Sequence, residues 1–234
     1  MESWLARSGR AALDLVVPQE CGGCGRPAVA WCPACSAACS GPTWRVPGVV
    51  PTRSATVHQG PAGPAVVAFK DRSMRRLAAP LGALLARAVA DLLVDLSPPS
   101  GQPVWLVPVP SRPAARRQRG ADHAAVLAAR AARDLRRSGV PAHRCAVLRH
   151  VRASRDQLGL DREARRANVS GTLAARATPP GLVLLVDDVT TTGATLAEGV
   201  RALRRAGVPV AGAATVTWAG PVGTARPDAG TTSV

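Results

Sequence analysis

Two adjacent carboxylates, Asp187 and Asp188, close an apolar run and lead at once into threonines, a glycine and a helical pattern: Leu182-Val-Leu-Leu-Val-Asp-Asp-Val-Thr-Thr-Thr-Gly-Ala-Thr195. An uninterrupted apolar run of this length predicts a strand buried on both faces of a parallel sheet. The carboxylates then stand at its carboxyl end, the edge at which open α/β sheets bind ligands. A turn made of Thr191, Thr192, Gly193, Ala194 and Thr195 offers backbone N–H groups and hydroxyls, backed by the positive end of a helix dipole. That is chemistry for a phosphate. Gly193 lets the backbone approach such a ligand with no side chain in the way. Two carboxylates repel phosphate and must face donors instead, and the cis hydroxyls of a ribose are such donors. Phosphate at one end and a diol at the other describe a ribose 5-phosphate. The same residues can also be read as a buried strand, an acidic turn and a threonine cap. That reading suits either half alone, whereas the combination in this order favours the ligand.

A second group of residues is suited to metal. Cys21-Gly-Gly-Cys24 and Cys32-Pro-Ala-Cys35 are two CxxC pairs a short hairpin apart, with Gly25 and Pro27 where a turn is needed. Four thiolates complete a closed tetrahedral Zn²⁺ site, structural in character, which would supply folding energy that a short segment lacks. A redox pair and free thiols remain alternatives for this spacing. Cys39 is a possible substitute ligand, and Cys145 reads as a core residue.

Two further patches are basic or polar. Val107-Pro-Val-Pro-Ser-Arg112 is followed by Arg116, Arg117 and Arg119, and clustered guanidinium groups after a strand end suit a pyrophosphate. Arg112 and Arg119 are the candidates for that role, against the alternative of a solvated basic loop. The segment Arg155-Asp-Gln-Leu-Gly-Leu-Asp-Arg-Glu-Ala-Arg-Arg-Ala-Asn168 is rich in hydrogen-bonding groups and poor in apolar ones. It can be a lid carrying Gln157, Arg162, Arg166 and Asn168, or an ordinary polar helix and loop.

The VDDVxTTGxT stretch resembles the phosphoribosyl pyrophosphate motif of the type I phosphoribosyltransferases. With the PVP strand, the Q-x-x-L…R-x-x-N segment and the cysteines, roughly residues 15 to 218 resemble the competence protein F (ComF) family. The resemblance implies that Asp187 and Asp188 hold the ribose hydroxyls and that Thr191, Thr192, Gly193 and Thr195 cradle the 5-phosphate. Thr190 occupies a variable slot of the motif. It also implies Mg²⁺-dependent transfer of a phosphoribosyl group, structural zinc, and a link to DNA uptake. One departure is visible: the RGFNQ-like turn reads Arg119-Gly-Ala-Asp-His123, so Asp122 and His123 stand where amides are usual.

The elements that must position these groups follow from periodicity. A helix is expected over 3–17, the cysteine segment over 21–39 and a linker over 40–53. A short strand is expected at 55–58, and a helix from 65 to 96 broken or kinked at Pro80. Strands are expected at 104–110, 145–149, 181–186 and 208–216, and helices at 122–137, 161–168 and 194–206. Alternating strands and helices predict a mainly parallel sheet flanked by helices, in the manner of the type I phosphoribosyltransferases. The expected organisation is an N-terminal zinc-ribbon-like module over 1–45, a phosphoribosyltransferase-like domain over 46–220 and a flexible tail over 221–234.

Composition bounds the rest. The 234 residues carry a formal charge of +15, with 30 Lys and Arg against 15 Asp and Glu, which attracts polyanions such as single- or double-stranded DNA as readily as phosphorylated metabolites. Only one phenylalanine and five tryptophans are present and no tyrosine, so stacking partners for a purine are scarce. The most apolar stretch, 77–96, holds Arg87, Asp91 and Asp95, which argues against insertion in a membrane. The N-terminus lacks the pattern of a cleavable leader. A soluble, cytoplasmic protein is the expectation.

Overall fold

The computed structural model describes residues 20–27, 29–151, 171–176, 181–221 and 223–227. The expected helices at 3–17 and 161–168 lie outside these residues.

The architecture is a seven-stranded sheet with helices on both faces. In chain order the elements are α1 (Pro33–Ala38), β1 (Trp44–Arg45), β2 (Thr52–Val57), α2 (Ala62–Asp71), a 3-10 turn (Arg75–Leu77), α3 (Ala78–Leu96), β3 (Val104–Pro108), α4 (Pro113–Arg119) and α5 (His123–Arg137). They continue with β4 (Ala142–Arg144), β5 (Leu148–His150), β6 (Leu173–Ala175), β7 (Leu182–Thr190), α6 (Ala194–Arg205), β8 (Gly212–Trp218) and β9 (Arg226–Pro227). The sheet runs β4-β3-β7-β8-β2-β1-β9, with β5 and β6 forming a separate two-stranded antiparallel ribbon. β4, β3, β7, β8 and β2 are parallel, while β1 and β9 add antiparallel at the outer edge.

Strand parity divides the core. Leu184 and Val186 of β7 join Leu106, Val216, Leu85, Val89, Leu127 and Leu135 on the face covered by α2, α3 and α5. Val183 and Leu185 join Val107, Leu196, Val200 and Leu203 on the face covered by α6 and the β5–β6 ribbon. Successive side chains of a strand point to opposite faces, so the apolar run is explained by burial on both sides. The same parity sends Asp188 toward α2 and α5, and Asp187 toward α6.

The chain winds outward from β3 to β4 and, in the opposite direction, from β7 to β8. The crevice at the carboxyl ends of β3 and β7 is therefore the topological switch point, where such sheets bind ligands.

Several local expectations are corrected. The helix expected from 65 to 96 is two helices parted at 72–77, where Ser73 takes a left-handed φ of 53°. Pro80 breaks nothing: it lies in the first turn of α3, where a missing N–H removes no helical bond. The stretch expected as a linker, 40–53, contributes β1 and the start of β2. Arg53 is the reason it is held, since its buried guanidinium donates to both carboxylate oxygens of Asp95, each at 2.8 Å. Within the segment expected as a tail, Arg226–Pro227 pairs with β1, and Ala225 is buried against Val46 and Trp218.

The stretch Arg75–Leu96 is long and apolar enough to cross a membrane, with mean hydropathy 1.8. Its Leu81, Leu85, Val89 and Leu92 are instead buried against the sheet.

Candidate functional site

The site begins with β7. Its last residues pass from the double-sided core to the sheet edge, so Asp187 and Asp188 inherit a dry floor and an open top. Asp188 is buried and meets Lys70 Nζ at 2.9 Å. Asp187 is partly accessible, and its Oδ1 accepts the Asp188 amide at 2.8 Å. Burial, then the neighbouring charge of Asp188, push the Asp187 carboxyl well above the usual carboxylate range, with Lys70 opposing the shift. Burial also penalises the Lys70 ammonium, but the two aspartates outweigh it and hold the lysine above its ordinary value.

Lys70 was not singled out from its sequence position. It lies 118 residues from Asp188, at the end of α2. A compositional signal was nonetheless present, because Lys70 is the only lysine in a chain of 30 lysines and arginines. Lysine presents a compact charge on an unbranched stem, which suits a buried carboxylate differently from a planar guanidinium.

After Thr190, whose carbonyl accepts the Ala219 amide, the chain turns through Thr191 and Thr192 to Gly193. Gly193 has φ +74° and caps α6, a conformation that costs other residues strain. Thr191 and Thr195 are exposed, and Thr192 and Ala194 are half-buried. Thr192 Oγ1 accepts the Ala194 amide at 3.4 Å. The first N–H groups of α6 therefore open on the same edge as the carboxylates, ready for an anion.

The second patch lies alongside. Val109 N donates to Val186 O, which fixes the PVP strand next to the residue before Asp187. Ser111 donates through its backbone N and Oγ to Asp122, which also caps α5 by accepting the Ala125 amide. That clasp closes the loop containing α4, with Arg112 capping its start and Arg119 in its last turn. Arg119 pairs with Asp71 at 2.8 Å, beside Lys70, whereas Arg112 stands at the far end of the short helix. His123, a motif departure, is buried against Phe69 and not exposed to the crevice. Burial lowers its pKa despite the attraction of Asp188.

Gln157, Arg162, Arg166 and Asn168 lie outside the described residues. The ribbon that bounds them is well anchored. Glu198 is buried, accepts the Leu173 amide at 2.8 Å and pairs with Arg201, which donates back to the Leu173 carbonyl. On the other side, His150 Nε2 lies 3.0 Å from Pro110 O.

The four cysteines also converge. Cys21, Cys24, Cys32 and Cys35 place their sulfurs within 4.8 Å of one another, with Cys21–Cys35 and Cys24–Cys32 each at 3.7 Å. Four sulfurs around one tetrahedral ion, at about 2.3 Å each, would stand about 3.8 Å apart, so the donor set fits. Burial raises the Cys21 thiol, but the backbone amides of Cys24, Cys32 and Gly23, with the Cys35 side chain, outweigh it and bring it down to about 6, while burial and the neighbouring sulfurs push Cys35 up. Among the described residues Cys39 is not part of the cluster, and Cys145 packs at the edge of the second core. Gly22 lies so close to Leu77 that an added Cβ would stand 2.6 Å from its Cδ1, which seats the cysteine module directly on the main domain.

Residues 121–234, just under half of the chain, match the family model described as phosphoribosyl transferase domain. The fold is that of a phosphoribosyltransferase-like domain. No curated protein matches the sequence. The matched part of this domain contains β7, the phosphate-type turn and α6, while Lys70, Arg112 and Arg119 come from outside it.

The raised Asp187 sets a stability cost with a defined sign. A carboxyl titrating above its unfolded value of about 3.9 keeps an extra proton when folded, so its contribution is full at low pH and lost as pH rises through the folded value. Asp187→Asn, which can keep the bond from the Asp188 amide, removes that loss. Without ligand, the variant's thermal midpoint should exceed the parent's near about pH 8 and converge with it near about pH 4. Equal midpoints across that range would contradict the assignment.

Proposed function

We propose that the protein binds phosphoribosyl pyrophosphate at the carboxyl end of β7 and transfers its phosphoribosyl group to an acceptor. The observation that carries this reading is the carboxylate pair, countered by Lys70, standing beside the N-terminal turn of α6. In this reading Asp187 and Asp188 accept from the ribose hydroxyls. Thr191, Thr192, Gly193, Ala194 and Thr195 receive the 5-phosphate. Arg119, Lys70 and Arg112 stand on the pyrophosphate side.

The chemistry is a displacement at the anomeric carbon. The bond from C1′ to the pyrophosphate oxygen breaks, the electron pair leaves with pyrophosphate, and the acceptor forms the new bond to C1′. An oxocarbenium-like transition state needs no enzyme nucleophile, so the residues orient, counter charge and keep water out. Mg²⁺ fits a site with a carboxyl whose charge is so poorly compensated. Asp187 and Asp188 would hold it through ribose hydroxyls and water, and it would neutralise the leaving pyrophosphate.

Membership of the competence protein F family is part of the proposal, supported by the motif residues and the four-cysteine module. So is a cytoplasmic location, which keeps thiols reduced and free for metal. A second reading, contact with single- or double-stranded DNA, is favoured by the exposed arginines Arg130, Arg133 and Arg137 along one side of α5. Its mark would be steep salt dependence.

Two measurements test the proposal. Calorimetric titration with phosphoribosyl pyrophosphate should give saturable binding that strengthens with Mg²⁺ and vanishes in an Asp187→Ala, Asp188→Ala variant. Binding that survives in the folded variant would remove the assignment. For the cysteine module, purified protein should carry one Zn²⁺ per chain. Chelation or Cys21→Ser should release it and lower the thermal midpoint; a metal-free protein of unchanged midpoint would exclude structural zinc.

A further inference from the structure

A cavity of about 330 Å³ lies between the last turn of α2, the 3-10 turn and the first turns of α5. Phe69, His123 and Val126 wall it, and Arg75, Arg119 and Arg130 are among the residues at its rim. The His123 ring stands edge-on to Phe69, with centroids 5.0 Å apart and planes at 82°. His123 is only 5% exposed, and its Nδ1 is buried without a hydrogen-bond partner. That nitrogen is closed off from solvent, so the ring gives the cavity shape and not a polar contact.

Residues that wall the cavity are chain neighbours of those that partner the carboxylate pair. Phe69 immediately precedes Lys70, which holds Asp188, and Asp71 follows with its pair to Arg119. His123 lies within electrostatic reach of both Asp188 and Lys70. The volume is at the low end of the range for small-molecule sites, about 300–1,000 Å³, enough for a planar ring system with a substituent. Its chemistry is mixed in an informative way. The chain's only phenylalanine and Val126 offer an apolar wall, and the guanidinium groups of Arg75 and Arg130 ask for negative charge. Arg119 is partly neutralised by Asp71, whereas Arg75 and Arg130 are exposed.

We propose that this cavity receives the acceptor of the transfer reaction and that the acceptor is a small planar organic anion, an aromatic carboxylate in chemical class. The proposal rests on the phosphoribosyl-transfer reading. A ring nitrogen of the acceptor forms the bond to C1′ as the bond to the pyrophosphate oxygen breaks. Pyrophosphate takes the electron pair, and any proton on that nitrogen passes to solvent. The carboxylate stays on the arginine rim and fixes the ring's orientation.

The test uses the full, zinc-loaded chain and three probes: pyridine-3-carboxylate, pyridine-3-carboxamide and inorganic phosphate. Each is titrated by calorimetry into the parent, Arg75→Ala, Arg130→Ala and His123→Gln. Phosphoribosyl pyrophosphate is titrated into the same preparations. The carboxylate should bind once per chain, with the amide and phosphate weaker by about tenfold, the worth of one charge-assisted contact. Arg75→Ala and Arg130→Ala, both at exposed positions, should weaken the carboxylate to a similar degree and leave phosphoribosyl pyrophosphate binding unchanged. Equal binding of the amide, or carboxylate binding indifferent to both arginine variants, would overturn the proposal, even if His123→Gln failed to fold. If phosphoribosyl pyrophosphate still binds in that case, the transfer reading stands alone. Rim-dependent carboxylate binding without any binding of phosphoribosyl pyrophosphate would overturn the acceptor role and the transfer reading together.

Discussion

Two neighbouring carboxylates at the end of a buried strand cannot both hold charge without compensation, and Lys70 supplies it. The ammonium meets Asp188 on the α2 side, while Asp187, on the α6 side, is left largely to burial and to the amide of its neighbour. Everything around the pair serves this arrangement. The parallel strands β3 and β8 hold β7 from both sides, the two cores fix which carboxylate faces which helix, and α2 is positioned to deliver a single lysine. A site with one carboxyl satisfied and the other poorly compensated is primed for a ligand that brings hydroxyl donors and positive charge together.

The sheet and the phosphate-type turn were legible because their physics is local. An apolar run predicts a doubly buried strand, and threonines with Gly193 predict a tight turn before a helix. That Asp187 and Asp188 face opposite layers became visible with the two cores. The partners were not legible, since they depend on packing between distant segments. Lys70 and Asp71 meet Asp188 and Arg119 only after α2 folds across the sheet edge. His123 looked like a stand-in for a polar contact, yet its place at the start of α5 turns it into the core against Phe69. Pro80 differs from its expectation for a related reason: a proline breaks a helix only in the interior, and the chain parts instead around Ser73.

The cysteine module and the β1–β2 edge show how the chain's first described segment is tied to the rest. Gly22 permits contact with Leu77, and the buried Arg53 binds Asp95 near the end of α3. The pair joins a buried guanidinium to a carboxylate that stays in reach of solvent. These contacts brace α3, and α3 continues from the 3-10 turn that walls the cavity. The module therefore belongs mechanically to the scaffold behind the site.

The most direct test of the central claim is a crystal structure of the protein with phosphoribosyl pyrophosphate and Mg²⁺. The account predicts ribose hydroxyls within hydrogen-bond distance of Asp187 and Asp188, with the 5-phosphate on the amides and hydroxyls of residues 191–195. A ligand bound instead along the arginines of α5, with the carboxylate pair still closed on Lys70, would contradict it.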